Sequence, residues 1–370
     1  MSGCSILFIS PGPTYRPKSE AFQREYINLS EAGHSGYVFS TSSVNEAMQI
    51  GRFSYLAMKS NESIWSTIRY FYYCAREARK LKTKVDLVVT YDPLKTGLIG
   101  LIVSRILGAK LVVEVNGVYT SPAEWLDGGH KLSSKIKKAL YPKIMKFVLK
   151  RADAIKLLYR SQIESLESDL KGKLIRAFPC YVATDGFKDI ESRKEILFAG
   201  FPFKRKGVDV LIEAFKLVSG KHDGWALKIL GWFPDMSELD GAINGHPQIY
   251  HHKPVHMHEM PDHIGRCSIF ALPSRSEGMG RVLVEAMAAG KARVGSNVDG
   301  IPYVIEDGID GVLVEPDNAL DLANKLDLLM GDEAERRRLS DNGLERLKKE
   351  FTADVYSRNV NDFYEEVLRN

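Results

Sequence analysis

The feature that most constrains this 370-residue chain is a regular alternation of short apolar runs with amphipathic stretches of helical period. Residues 6–10, 85–90, 110–115 and 154–158 read as strands, with 19–32 and 96–107 as helices and Gly33 at a helix stop. The pattern restarts at 195–200, a strand followed by a helix over 208–218 with Val208, Leu211, Ile212, Phe215 and Val218 on one face. Further strands follow at 226–230, 268–272 and 292–295, with helices opening near Met260, Gly280 and Asn318 and a helical tail over 333–368. Such alternation builds parallel sheets covered by helices. The length gives room for two domains, and the weakly periodic, turn-rich stretch 178–186 marks the boundary. The expected fold is α/β, with two Rossmann-like domains facing an interdomain cleft. They would cover 1–186 and 187–353, with a helix at about 354–370 packing back on the first. Sheets of this kind bind ligands outside the carboxyl ends of their strands.

Apolar residues at 44% and charged residues at 26% exclude disorder, collagen-like repeats and coiled coil as the main architecture. Net charge is 51 − 47 = +4, but it is unevenly spread. Residues 1–190 carry 28 Lys and Arg against 17 Asp and Glu, or +11, and residues 191–370 carry 23 against 30, or −7. The first half is therefore expected to meet something anionic. Cys4, Cys74, Cys180 and Cys267 have no metal-ligand spacing and read as buried thiols of a reducing compartment. No secretory signal is legible, and the longest apolar stretch, 97–115, is interrupted by Arg105 and Lys110. A cytoplasmic protein is expected, peripheral on the inner face of a membrane at most.

Two segments carry the chemistry. In Pro273-Ser-Arg-Ser-Glu277-Gly-Met-Gly280-Arg-Val-Leu-Val-Glu285-Ala-Met-Ala-Ala-Gly290 a strand ends, a glycine turn follows and a helix opens near Gly280. The glycines permit close backbone approach, and the free N–H groups of the new helix suit a diphosphate. Glu277 in the loop and Glu285 a turn into the helix would bracket that phosphate, each accepting hydrogen bonds from sugar hydroxyls. Either glutamate alone reads equally as a turn residue or a solvated helix face; the constellation does not. The second segment, Phe198-Ala-Gly200-Phe-Pro-Phe-Lys204-Arg205-Lys206-Gly207-Val208, places three cations before a helix N-terminus. The helix dipole disfavours them there unless an anion lies between, and a diphosphate would supply it. A solvated basic loop is the bland alternative.

These residues resemble the GT4 glycosyltransferases (glycosyl transferases group 1), retaining enzymes of GT-B fold that use nucleotide-sugar donors. Glu277-x-Met-Gly-x4-Glu285-Ala-Met-Ala-x-Gly is similar to the family's Glu-x7-Glu element. Lys206-Gly207-x3-Leu211-Ile212, Ala271-Leu-Pro-Ser274, Gly300-Ile-Pro302 and Glu306-x-Gly308-x2-Gly311-x-Leu313-Val314 extend the likeness, strongly over 195–352 and diffusely over 1–190. The resemblance implies that Lys206 contacts the donor diphosphate, Glu285 the ribose hydroxyls and Glu277 the transferred sugar. Backbone groups of Met279, Gly280, Arg281 and Val282 would hold sugar and phosphate, with Gly12 and Gly200 close to the donor and Val255 near the base. No metal is expected, and no Asp-x-Asp is present to bind one. Two departures stand out. Phe201 occupies a position where the family often has Arg, with Arg205 the candidate replacement guanidinium. Asn116, in Glu114-Val-Asn-Gly117, stands where the family often offers His. An amide is no general base, and a front-face reaction, in which the leaving phosphate takes the acceptor proton, needs none.

In the first domain, the loop 11–18 follows the first strand, with Arg16 and Lys18 as candidate contacts to phosphate or acceptor. Residues 131–151 carry eight Lys and Arg and no acid, with Leu132, Ile136, Leu140, Ile144, Phe147 and Val148 at helical spacing. This is an amphipathic helix bent or split at Pro142. It suits an anionic membrane surface, or else packs its apolar side on its own sheet. No nucleic-acid motif appears. His246, His251, His252, His256, His258 and His263 complete no metal set. The leading reading is a metal-independent transferase moving a UDP- or GDP-linked sugar to a glycan or lipid-linked acceptor in cell-surface polysaccharide synthesis. A second keeps the fold and the site but little turnover, on the strength of Phe201 and Asn116. A glycosidase pair is disfavoured, since its carboxyls flank one bond at about 5–9.5 Å and it leaves the Lys204–Lys206 cations unused.

Overall fold

The computed structural model describes residues 3–12, 20–61, 63–128 and 132–370. The chain divides into two compact units. One comprises Met1–Gly117, Ile136–Tyr181 and Ala353–Asn370, the other Val118–Lys135 and Val182–Thr352.

The elements of the first unit are β1 (Ser5–Ile9), α1 (Glu20–Glu31), β2 (Ser35–Ser42), β3 (Glu46–Ile50), β4 (Phe53–Lys59), α2 (Ile64–Ala78), β5 (Leu87–Thr90), α3 (Lys95–Leu107), β6 (Lys110–Val115), α4 (Leu132–Leu149), β7 (Ala154–Leu157) and β8 (Leu174–Ala177). The strands form one sheet in the order β3-β4-β2-β1-β5-β6-β7-β8, parallel throughout except for the antiparallel β3–β4 hairpin. Ile6 to Ile9, Leu87 to Val89 and Leu111 to Val113 are buried on both faces, as near-continuous apolar strands in a covered parallel sheet should be. The second unit runs β9 (Glu195–Ala199), α5 (Val208–Val218), β10 (Ala226–Leu230), α6 (Met236–Ile243), β11 (Ile249–His252), α7 (Met260–Arg266), β12 (Ile269–Leu272), α8 (Arg281–Ala288), β13 (Ala292–Ser296), β14 (Val312–Val314), α9 (Ala319–Gly331) and α10 (Glu333–Glu350). Its parallel sheet has the order β11-β10-β9-β12-β13-β14. The last helix, α11 (Ala353–Arg369), belongs to the first unit, where Tyr356 donates to Glu25 and Arg176 pairs with Glu366.

The expected elements lack β2, β3, β4, α2 and β8 of the first unit and α6, β11 and β14 of the second, and other features differ too. Residues 118–135, expected in the first domain, belong to the second unit, so the unit boundary falls inside the first turn of α4; the Asp127 carboxylate accepts the backbone N–H groups of Lys204 and Arg205, each at 2.8 Å. The helical tail over 333–368 divides at Phe351, a buried residue that ends α10, and its second part is the helix expected at about 354–370. Helix α4 runs on through Pro142, which removes one N–H from the ladder without ending it.

Candidate functional site

The second sheet reverses its strand order between β9 and β12: β10 and β11 extend from β9 on one side, β13 and β14 from β12 on the other. Such a reversal opens a crevice beyond the strand ends, where open parallel sheets take ligands. The loop 200–207 leaves β9 and the loop 273–280 leaves β12, so the two motifs lie side by side at that point. Glycine makes the approach possible. Gly207 caps α5 at φ +67, and a Cβ there would lie 1.9 Å from the Pro273 carbonyl oxygen. Gly280, at φ +71, caps α8. In the first turn of α8 the Leu283 N–H donates to the Gly280 carbonyl at 2.8 Å, while the N–H groups of Arg281 and Val282 precede the intrahelical ladder and carry the positive end of its dipole.

At this crevice the Lys206 ammonium donates to Glu277 Oε2, each side chain 13% exposed. Glu277 is fixed by Asp299, whose Oδ2 accepts both the Glu277 N–H at 3.1 Å and the Ser276 hydroxyl at 2.7 Å. Asp299 stands just beyond β13 at φ +48. Sequence reasoning does not single it out, although Asp-Gly is a turn dipeptide.

The three cations do not wait for a ligand to neutralise them, contrary to expectation. Lys204 pairs with Asp209 at 3.1 Å and Glu238 at 3.3 Å, and Arg205 with Glu124 at 3.3 Å. Asp209 in the first turn of α5 also takes a two-point ion pair from Arg275 at 2.9 and 3.1 Å. Burial works to raise the Asp209 carboxyl, but the hydrogen bonds from Arg275 and Lys204 win and hold it below its ordinary value. Burial pushes Glu124 the other way, above its ordinary value, against the attraction of Arg205. Lys204 is therefore committed to structure, while Arg205 and Lys206 lie next to the crevice on carboxylates that an incoming anion can displace.

The side chain of Glu285, the fifth residue of α8, makes no hydrogen bond among the described residues. Burial pushes its carboxyl up to about 7, only partly opposed by Arg281 one turn earlier. A partly buried carboxylate with no donor of its own is a waiting acceptor for hydroxyl groups. Around it, Met279 is buried, Val282 half-buried and Arg281 exposed. Gly200 leaves β9 with its α-carbon facing Phe198 and Lys206, and Val255 lies half-buried just after β11. Phe201 packs on Trp232 at 5.1 Å between ring centroids, both exposed.

In the first unit the sheet order reverses between β1 and β5, and Gly12 follows β1 there. Its φ of +48 and the Thr41 hydroxyl, 2.1 Å from where a Cβ would lie, leave no room for a side chain. Asn116, at the end of β6, donates to Glu114 at 2.9 Å and to the Tyr91 carbonyl at 3.4 Å, and accepts from Lys156 at 3.3 Å. Lys156 and Glu114 are both buried and paired at 3.3 Å, which fixes the amide's orientation. Arg16 and Lys18 lie outside the described residues. Among the histidines, His252 meets His263 and His256 stacks on His258. Among the described residues no three His, Cys, Asp or Glu side chains group as a metal site requires.

A profile of the family described as "Glycosyl transferases group 1" matches residues 186–346, which contain Lys206, Glu277, Glu285 and Asp299. An uncharacterized glycosyltransferase of Methanocaldococcus jannaschii, MJ1178, is 34% identical over 178 residues, 46% of this chain and 48% of that protein. The capsular polysaccharide biosynthesis glycosyltransferase CapM of Staphylococcus aureus is 24% identical over 176 residues, 46% of each chain. This chain thus spans about half the length of these curated relatives. Anabaena HepE, solved in complex with UDP-glucose, superposes with a TM-score of 0.75 at 15% identity, over 98% of this chain and 100% of that one. That likeness is one of fold, and the fold is GT-B.

Proposed function

We propose, from a chain whose residues 186–346 are a glycosyl transferases group 1 domain on a GT-B fold, that the protein is a retaining, metal-independent glycosyltransferase. It would move a hexose from a UDP- or GDP-linked donor to a glycan or lipid-linked acceptor in cell-surface polysaccharide synthesis. The observation that carries this reading is the Lys206–Glu277 pair at the strand-order reversal, beside the first turn of α8. HepE was solved with UDP-glucose and CapM is a capsular polysaccharide enzyme, which supports the donor and acceptor classes by likeness.

In this reading the donor diphosphate draws Lys206 and Arg205 from their carboxylates, and the N–H groups of α8 face its oxygens. Released from Lys206, Glu277 accepts hydrogen bonds from the sugar hydroxyls, and Glu285 accepts from the ribose. As the bond from the anomeric carbon to the phosphate oxygen breaks, negative charge grows on the leaving diphosphate, where the two cations and the helix dipole stabilise it. The acceptor oxygen bonds to the same face of that carbon, and its proton passes to the leaving phosphate. Cations and a helix N-terminus fill the role a divalent metal would otherwise take. Asn116 has the acceptor-side role implied by its strand-end position, as an oriented amide and not as a base. The basic helix at 131–151 would hold the protein at the inner face of an anionic membrane.

The direct test is incubation with UDP- and GDP-sugars, followed by NMR of the anomeric proton. The account predicts slow donor hydrolysis with one base family, abolished by Glu277→Ala. Nucleotide binding with no turnover of any donor would favour a sugar-nucleotide-binding protein of the same fold.

Glu285 adds a pH signature. Only the ionised carboxylate accepts from both ribose hydroxyls, so affinity falls as pH drops through the value of about 7 that burial imposes. Calorimetry is expected to show nucleotide binding about tenfold weaker at pH 6 than at pH 8. Glu285→Gln should bind weakly at both, with no slope. A flat profile in the unaltered protein contradicts the ribose contact.

A further inference from the structure

Helices α2, α3 and α4 of the first unit form one layer: α2 packs on α3, and Gly97 of α3 lies against Val148 of α4. Their inward sides build the core, through Tyr70 and Cys74 on α2, Ile99 and Val103 on α3, and Val148 and Leu149 on α4. Their outward sides carry what a core does not need. On α2, Trp65 and Tyr72 are each 75% exposed and Ile68 42%, on one helical stripe with Arg69 and Arg76. On α4, Ile136, Leu140 and Phe147 are exposed among Lys137, Lys138 and Lys143. The amphipathic periodicity of α4 is therefore real, but much of its apolar side faces away from the sheet. Across α2, α3 and residues 136–149 the one acidic residue is Glu77, already paired with Arg76 and Lys80. Beside the α2 stripe lies a cavity of about 640 Å³ between α2 and the β3–β4 hairpin, lined by Arg69 and Arg76, by Tyr72 and Tyr73, and by the carboxylates of Glu46 and Glu77.

We propose that this three-helix face rests on an anionic phospholipid bilayer, with Trp65, Ile68 and Tyr72 in the headgroup layer and Arg69 and Arg76 facing the lipid phosphates. Charge complementarity selects the occupant, since a broad surface of cations interleaved with aromatics and almost free of acids matches an anionic leaflet. Among the described residues no helix is long and apolar enough to cross a membrane, so the contact is one of surface. The inference deepens the peripheral-membrane part of the proposed function and is independent of its donor chemistry.

The test is sedimentation of the full chain with vesicles of phosphatidylcholine alone and of phosphatidylcholine mixed with phosphatidylglycerol. Binding is expected to the mixed vesicles only, weakening with added salt. Each cation near an anionic leaflet strengthens binding about fivefold, so Arg69→Gln/Arg76→Gln should bind about 25-fold more weakly. Trp65→Ser/Ile68→Ser/Tyr72→Ser should lose at least about tenfold. All five side chains lie at the surface, so the melting temperature and the nucleotide-induced shift serve as controls for folding. Equal binding by the triple variant, equal binding to neutral vesicles, no vesicle binding, or a dimer in solution that the triple variant splits would each overturn the proposal. Vesicle binding with no response to any nucleotide would leave it standing while the donor reading fell.

Discussion

Lys206→Ala is expected to lower donor turnover about 10- to 150-fold. A hydrogen bond to a charged group contributes about 1.5–3 kcal/mol, and each 1.36 kcal/mol on a barrier is about tenfold in rate. The loss should fall on kcat more than on KM, because charge on the diphosphate grows as the glycosidic bond breaks. Initial rates of donor hydrolysis measure it, and Lys206→Arg should recover part, since a guanidinium keeps the charge with different geometry. A loss confined to KM would make Lys206 a ground-state binder only. A loss below about threefold would remove it from the reaction.

Gly207→Ala should damage the second unit itself. The residue sits at φ +67, and its new Cβ would meet the Pro273 carbonyl oxygen at 1.9 Å, a backbone atom that cannot swing aside. Left-handed backbone alone costs a non-glycine residue about 1–2 kcal/mol. Displacement of the β12 end should bring the total to about 3 kcal/mol or more. Urea unfolding would show it, and nucleotide binding should weaken as the two loops separate. Gly241→Ala, in the exposed last turn of α6 with nothing within 4 Å, is the contrast: it should gain up to about 1 kcal/mol. Equal effects at the two positions would mean that close packing of the 200–207 and 273–280 loops does not hold the site together.

The donor-side constellation is legible in the sequence because its logic is local. Strand end, glycine, helix start and the seven residues between Glu277 and Glu285 all lie within one strand-to-helix turn. Much of what escapes sequence reasoning is held by contacts between distant segments. Nothing near Lys204–Lys206 indicates that Asp127, Glu124 and Glu238 would neutralise or cap that loop, or that 118–135 would leave the domain on either side of it. The β3–β4 hairpin escapes although Phe53, Tyr55 and Ala57 alternate inward around a turn at Gly51, because its strands mix Ser, Gln and Met with the apolar residues. For α4 the period is right and the direction is not decidable: spacing reveals a stripe, but burial of Val148 and exposure of Ile136 and Leu140 depend on what α3 already covers.

The measurement that bears most directly on the donor site is a thermal-shift panel of UDP, GDP, ADP and their sugar conjugates, with and without EDTA. A ligand at 100 times its Kd adds about 2.7 kcal/mol of stability, or about 5–10 °C for a unit of this size. The account predicts a shift for one base family, unchanged by EDTA and reduced by Lys206→Ala and Glu285→Ala. No shift with any nucleotide, or one that these substitutions leave intact, would contradict it.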